Sequence, residues 1–89
     1  MNISLDFDAT YTHDPQAWDA VIDLMQARGH KVHCVTCRRD TPENREIVVV
    51  PNVLVFFTDL RSKIEHMTKW GITIDVWIDD DPLCVVHGK

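Results

Sequence analysis

Apolar and polar positions along this chain follow two different periods. Apolar side chains recur at every second position over residues 3–7, which is typical of a short strand. From Asp14 onward they recur at i, i+3, i+4 and i+7, which predicts a first helix over about 15–28. Asp14 can cap that helix, Pro15 suits its first turn and Gly29 ends it.

The same two periods predict the remaining elements. A helix is expected from Pro42 to about Val48, although its "IVVV" end also has strand propensity. A further helix over about 63–70 begins with the capping box of Ser62 and Glu65. Strands are expected at 31–36, 53–57 and 73–79, and the run 83–87 could add a fifth.

Strands that alternate with helices need crossover connections, which are right-handed and give a parallel sheet covered on both faces. The predicted fold is therefore α/β, a minimal Rossmann-like three-layer sandwich around a parallel sheet of four to five strands. With 89 residues, of which 45% are hydrophobic, the chain can build one small domain over 1–89.

Charge and cysteine content narrow the classes of protein that this chain can belong to. A net charge of −5 argues against a general nucleic-acid-binding surface, which is usually basic. The start of the chain does not resemble a leader, and no apolar run approaches the roughly 18 residues of a membrane helix. Three cysteines cannot all pair within one chain, so we expect reduced thiols in a soluble cytoplasmic protein.

Polar side chains are concentrated where the predicted strands end. Asp6 and Asp8 follow the first strand, Thr36 ends the second, and the acids of 79–81 follow the fourth. Parallel sheets bind their ligands beyond these carboxyl ends. Residues i and i+2 of a strand project to the same side, roughly 6.5 to 7 Å apart, so the first two acids can address one ligand while Phe7 packs the other way.

Converging carboxylates require a counter-charge, because without one they repel each other strongly in a partly desolvated cleft. Hard oxygen ligands, with no His or Cys at these strand ends, suit Mg²⁺. Any one of these acids, taken alone, more often caps a helix or is solvated. The whole set at consecutive strand ends favours a metal site.

These residues resemble the motifs of the haloacid dehalogenase-like (HAD) superfamily of phosphohydrolases. "DFDAT" is similar to its D-x-D-x-T signature, and Thr36 at the end of "HCVT" is similar to its second motif. Lys63 matches the lysine of its third motif, and "DVWIDDDP" resembles its fourth motif of paired acids. The resemblance extends from residue 3 to residue 82, with the four motifs in order.

The resemblance implies a role for each motif residue. Asp6 would attack phosphorus and form an aspartyl-phosphate, and Asp8 would protonate the leaving oxygen and then activate water. Thr36 would hydrogen-bond a phosphoryl oxygen, and Lys63 would place its ammonium near the same phosphate. The implied Mg²⁺ ligands are Asp6, Asp8 through its main-chain carbonyl, and one or both of Asp79 and Asp80. Of this last pair, the resemblance favours Asp80 as the direct ligand and Asp79 as the residue that orients Lys63, and the choice between them stays open.

Two further residues are candidates for substrate binding. Thr10 of the D-x-D-x-T signature lies close to the substrate, although we expect it to support the loop rather than react. Arg38, with Arg39 beside it just after Thr36, could hold a phosphate bidentately, whereas exposed arginines are usually only solvated.

The chain departs from the family at two points. Ala9 stands where many members carry Gly, which alters the path of the chain beside the metal. Only about five residues separate Asp8 from the first helix, and 26 lie between Thr36 and Lys63, so no cap domain fits. In this it resembles the minimal capless members found in phages, for which host cytoplasm is the expected location.

An open site excludes water poorly and offers few substrate contacts. We therefore expect slow and broad activity, or a large substrate that covers the site itself. Nucleotides, other phosphorylated small molecules and nucleic-acid end phosphates are plausible substrates, and a second subunit of a homo-oligomer could supply the missing lid.

Two other interpretations stay open. The segment "HCVTC" contains a C-x-x-C half of a zinc site, with Cys84 and His87 as distant candidates for the other half. The chain could also be a non-catalytic, metal-binding HAD-like scaffold that serves as an interaction or oligomeric module.

Overall fold

A computed structural model describes the whole chain, Met1–Lys89. Its strands are β1 (Asn2–Leu5), β2 (Lys31–Thr36), β3 (Leu54–Phe57) and β4 (Val76–Ile78). Its helices are α1 (Pro15–Ala27), α2 (Pro42–Ile47), α3 (Lys63–Lys69) and α4 (Pro82–His87), and a single 3₁₀ turn covers Tyr11–His13. None of these helices has the length and the apolar run that a bilayer-spanning segment needs.

The four strands form one parallel sheet in the order β3-β2-β1-β4. The chain moves one way along the sheet from β1 to β3 and then returns past β1 to add β4. The direction of winding therefore reverses between β1 and β4, and parallel sheets open a crevice for ligands at such a switch point. This architecture confirms the predicted α/β class with four strands and no cap.

The main core lies on the face of the sheet that α1 covers. Ile22 of α1 is almost fully buried there, with alternate residues of β1 and β2 and with Val48 and Val50, which follow α2. Right-handed crossovers carry α3 to the opposite face, because β4 is added in the opposite direction. On that face Trp70, which follows α3, packs edge-on against Phe56 of β3. The sheet is thus covered on both sides.

The structure corrects the prediction that residues 83–87 could form a fifth strand. The apolar run that could have added a fifth strand is helical and lies within α4. Asp81 caps this helix, accepting a hydrogen bond from the Cys84 backbone N–H at 3.4 Å, and Pro82 occupies its first turn. An acid followed by proline is a helix-start signal, and here it overrides the strand propensity of the two valines.

The expectation of reduced thiols holds only for Cys34, which is free and buried. Cys37, in the loop after β2, is joined to Cys84 of α4 by a disulfide bond. The two residues are 47 positions apart in sequence, and only the packing of α4 beside this loop brings them together. The pair also leaves no C-x-x-C thiolate set for zinc.

Ala9 lies in the left-handed backbone region, with φ of 60°. We expect Ala9→Gly to raise the free energy of unfolding by about 1 kcal/mol, because glycine avoids the Cβ clash of this region while adding some entropy to the unfolded chain. Urea denaturation measures the change.

The matched control is Ala20→Gly, at an exposed position within α1. The same substitution in a helix should lower the free energy of unfolding by about 1 kcal/mol. If both variants are destabilised equally, Ala9 is not strained.

Candidate active site

A cavity of about 310 Å³ opens at the carboxyl edge of the sheet, where the loops after all four strands meet. Most residues predicted for the site line this cavity: Asp6, Asp8, Thr36, Arg38, Lys63, Asp79 and Asp80. The helices and strands form a single layered domain, and none of them makes a separate cap over the sheet.

The register between β1 and β4 places Asp6 and Asp79 side by side. Leu5 pairs with Ile78, and the Asp6 backbone N–H continues the ladder by donating to the Ile78 carbonyl at 2.9 Å. Asp6 and Asp79 are the next residues on these adjacent strands, which lie about 4.8 Å apart. Phe7 packs into the core on the α1 side, so both aspartates that flank it reach the cavity.

Lys63 joins the two strand ends. Its side chain is almost fully buried, and its ammonium donates to Asp6 Oδ1 at 2.8 Å and to Asp79 Oδ2. The lysine is the first residue of α3, which Ser62 caps by accepting from the Glu65 backbone N–H at 3.3 Å. The predicted contact between Lys63 and Asp79 is therefore present.

Three carboxylates form the part of the site that could hold a metal. Oxygen atoms of Asp6, Asp79 and Asp80 lie within 4.8 Å of one another, with Asp80 on the solvent side. Their three negative charges and the single positive charge of Lys63 leave a net charge of −2. A hard divalent cation with carboxylate ligands and waters matches both this charge and this donor set, so the residues fit Mg²⁺.

The surroundings of Asp6 shift the pKa of its carboxyl. Burial raises the pKa of its carboxyl to about 6, although the hydrogen bond from Lys63 opposes the shift. The buried Thr10 hydroxyl donates to Asp6 Oδ2 at 3.4 Å, so Thr10 supports the carboxylate from behind. The second oxygen of Asp6 is thus held in place by a neighbour on its own loop.

Asp8 is engaged differently from the other acids. Both of its oxygens accept hydrogen bonds from Arg38, from Nε at 2.9 Å and from Nη2 at 2.8 Å. The guanidinium holds the pKa of the Asp8 carboxyl below its usual range. The Asp8 carboxylate therefore does not belong to the acidic cluster, which leaves only its main-chain carbonyl for the metal role that the resemblance implies.

The loop after β2 is tied to the loop after β3. The backbone N–H of Leu60 donates to the Cys37 carbonyl at 2.8 Å, and that of Thr58 donates to the Thr36 carbonyl at 2.9 Å. The Thr36 hydroxyl, almost fully buried, accepts from the Arg38 backbone N–H at 3.3 Å. These bonds fix the threonine and the base of the arginine at the cavity wall.

One basic residue of the cavity wall was not predicted from the sequence. Lys89 lines the cavity, and its backbone N–H donates to the Leu60 carbonyl at 2.8 Å. Gly88 allows this approach, because a Cβ there would lie 2.4 Å from the same carbonyl oxygen. A glycine before a lysine at the end of a sequence carries no signal of such a contact. The second lysine of α3, Lys69, lies at the last turn of the helix and is exposed, so it does not reach the cavity.

Comparison of this chain with known family models, curated proteins and solved structures finds no match in any of the three.

The acidic cluster predicts that Mg²⁺ stabilises the folded chain. Millimolar MgCl₂ at pH 7 should raise the Tm by several degrees, because a ligand that binds only the folded state adds RT ln(1 + [L]/Kd) to its stability. Asp80→Asn should abolish most of this increase without unfolding the protein, since Asp80 is exposed. Differential scanning calorimetry measures both effects.

Asp23→Asn is the matched control, because Asp23 is an exposed acid on α1, away from the cavity. It should keep the full response to Mg²⁺. An equal rise of the Tm in the Asp80 variant, or the same rise with NaCl of equal ionic strength, would argue against a specific site.

The raised pKa of Asp6 predicts that the metal-free protein becomes less stable as the pH rises. A carboxyl with a folded pKa of about 6 stabilises the fold below its unfolded pKa, near 4, and this contribution is lost as the pH rises through about 6. The free energy of unfolding of wild type minus that of Asp6→Asn should fall by on the order of 2 kcal/mol between pH 4 and pH 7.

Urea denaturation in EDTA at a series of pH values gives this difference. Subtracting the Asp6→Asn curve removes the opposite contribution of Asp8, whose lowered pKa is common to both proteins. A difference that stays constant or rises with pH contradicts the assigned burial cost.

Proposed function

We propose that this protein is a Mg²⁺-dependent phosphohydrolase that removes a phosphoryl group through an aspartyl-phosphate on Asp6. The observation that carries the proposal is the buried Lys63, held between Asp6 and Asp79 with Asp80 within reach. A structural ion pair needs only one carboxylate for one lysine. Three converging carboxylates, of which only two contact the ammonium, are suited instead to a cation and a phosphoryl group.

The proposed reaction has two steps with balanced atoms. A carboxylate oxygen of Asp6 bonds to phosphorus while the bond to the leaving oxygen breaks, and Asp8 gives that oxygen a proton. Water then attacks the phosphorus of the aspartyl-phosphate, Asp8 takes a proton from this water, and inorganic phosphate leaves. One phosphomonoester and one water thus give an alcohol and phosphate.

The remaining residues position and neutralise the phosphoryl group. Lys63 orients the attacking carboxylate, and its charge attracts the transferred group. The hydroxyl of Thr36, fixed at the cavity wall, is available to a phosphoryl oxygen. Bound Mg²⁺, held by Asp6, Asp80 and the main-chain carbonyl of Asp8, would offset the charge that accumulates at phosphorus.

Because no cap domain lies over the cavity, its substrates can enter directly from solvent at the carboxyl edge of the sheet. Phosphorylated small molecules such as nucleotides, and the end phosphates of nucleic acids, meet this requirement. The net charge of −5 disfavours long contacts with a polyanion, so the recognised part of a nucleic acid would be its terminus.

The ion pair between Arg38 and Asp8 favours a second candidate function. With both oxygens of Asp8 engaged, the chain has the metal-binding cluster but no free acid for the leaving group. A non-catalytic scaffold that binds Mg²⁺ and a partner, or a second copy of itself, would have this arrangement permanently.

Phosphate release from a panel of phosphorylated compounds distinguishes the two candidates. The panel contains nucleoside monophosphates and oligonucleotides with 3′- or 5′-phosphates, each with MgCl₂ or with EDTA. We expect release that requires the metal and that falls at least about 10³-fold in Asp6→Asn, because the nucleophile is removed. Asp23→Asn, at an exposed position on α1, should release phosphate at the wild-type rate.

Acid-quenched mass spectrometry adds a test of the intermediate. With p-nitrophenyl phosphate, whose leaving group departs without a proton, Asp8→Asn should accumulate one phosphate on Asp6, because only the second step then requires Asp8. The hydrolase proposal fails if wild type and Asp6→Asn release phosphate equally slowly from every compound, and the scaffold then becomes the better explanation.

A further inference from the structure

Arg38 is held at the cavity by three kinds of contact. Its guanidinium donates to both oxygens of Asp8, and its Nη1 donates to Asn44 Oδ1 at 3.0 Å. It also lies 5.7 Å from the centre of the Phe7 ring. Phe7 is buried in the core, and Asn44 is half-buried on α2 and donates its amide to the Arg39 carbonyl at 2.9 Å. These two contacts keep the guanidinium at the cavity wall whether or not Asp8 is bound to it.

The contact with Asp8 is the exchangeable one. The side chains of Arg38 and Asp8 are 31% and 50% exposed, so water and other anions reach both groups. Ion pairs with this exposure contribute little net stability. A phosphate presents two oxygens to a guanidinium in the same geometry as a carboxylate does, and it carries more charge.

Arg38 and Lys63 are bound to different acids of the cavity. Lys63 is buried and bound to Asp6 and Asp79, whereas Arg38 is bound to Asp8 alone among the acids. A single phosphoryl group beside Lys63 therefore leaves the pair of Arg38 and Asp8 intact. A second anion on the same substrate can then compete with Asp8 for the guanidinium.

We propose that Arg38 determines substrate specificity by exchanging its ion pair with Asp8 for a second phosphate of the substrate, adjacent to the phosphate that is removed. This inference rests on the proposed phosphohydrolase function and names its substrate class. The exchange frees both oxygens of Asp8 to meet the leaving oxygen. Substrates that carry only one phosphate leave Asp8 engaged and are turned over slowly.

The cavity is lined by five acids and three cations, so a second anion fits there only when a divalent cation balances the excess of acids. Lys89 lines the same cavity, which adds a second positive charge beyond the acidic cluster. Arg39, the next residue after Arg38, is exposed and does not line the cavity. The two adjacent arginines therefore form a natural pair of test and control positions.

Three thymidine compounds test the proposal, namely thymidine 5′-monophosphate, thymidine 3′,5′-bisphosphate and the 5′-phosphorylated dinucleotide pTpT. For wild type with Mg²⁺, kcat/KM for 5′-phosphate release should be about tenfold or more higher for the two compounds with a second phosphate than for the monophosphate. A preference for both indicates that any nearby phosphate suffices, whereas a preference for pTpT alone indicates recognition of a strand end.

Arg38→Ala should reduce this ratio to about one, and Arg39→Ala, which removes the same charge, should keep it. Arg38→Lys should restore only part of the preference, because an ammonium lacks the bidentate geometry. The proposal is overturned if wild type shows no preference, or if Arg38→Ala retains it.

Equilibrium binding separates failure of this inference from failure of the hydrolase proposal. Calorimetric titration of the same compounds into Asp6→Asn, with and without Arg38→Ala, does not require turnover. If no variant releases phosphate but the two compounds with a second phosphate bind about tenfold tighter through Arg38, the subsite stands and the hydrolase proposal fails. Equal binding of all three compounds, in a protein without turnover, overturns the subsite as well.

Discussion

The buried ammonium of Lys63 is the interaction on which the rest of the site depends. A lysine that is almost fully buried requires anionic partners, because an unpaired charge in the interior costs several kcal/mol. Asp6 and Asp79 supply these partners from the ends of two adjacent strands, and the cap formed by Ser62 directs the lysine toward them from the start of α3. The sheet, the opposite helical layer and the cavity thus meet at one nitrogen atom, and Asp80 adds the excess charge that makes the position suitable for a divalent cation.

The site divides into an inner part with fixed charges and an outer part with exchangeable ones. In the inner part, buried groups hold one another at hydrogen-bond distance, and burial perturbs the pKa of Asp6. In the outer part, Arg38 and Asp8 are partly exposed and form a pair that other ions can replace. This difference follows from burial, because screening by water weakens the outer pair but reaches the inner groups much less. An open cavity can therefore combine a rigid cluster of buried charges with an adaptable rim.

The sequence was sufficient to predict most of the fold and much of the inner site. Period and capping signals predicted each strand and the first three helices to within a few residues, whereas the order of the strands, with β4 beside β1, came only from the structure. What it did not predict depends on tertiary packing. The pairing of Asp8 with Arg38 involves a long side chain that crosses between two loops, and no periodicity encodes its direction. The contact of Lys89 and the bond between Cys37 and Cys84 likewise arise from the position of α4, which local strand propensity obscured.

The pairing of β1 with β4 has a consequence for how the molecule is made. Ile3 pairs with Val76, so the two halves of the acidic cluster come from opposite ends of the chain and are separated in sequence by most of the fold. Contacts between distant segments form late in folding, because the entropy of closing the long loop must be lost before they contribute. β4 has only three residues and lies at the edge of the sheet, so its detachment would open the cluster before the rest of the core unfolds. A cation bound by the carboxylates at the ends of β1 and β4 would therefore stabilise the attachment of β4 to the sheet.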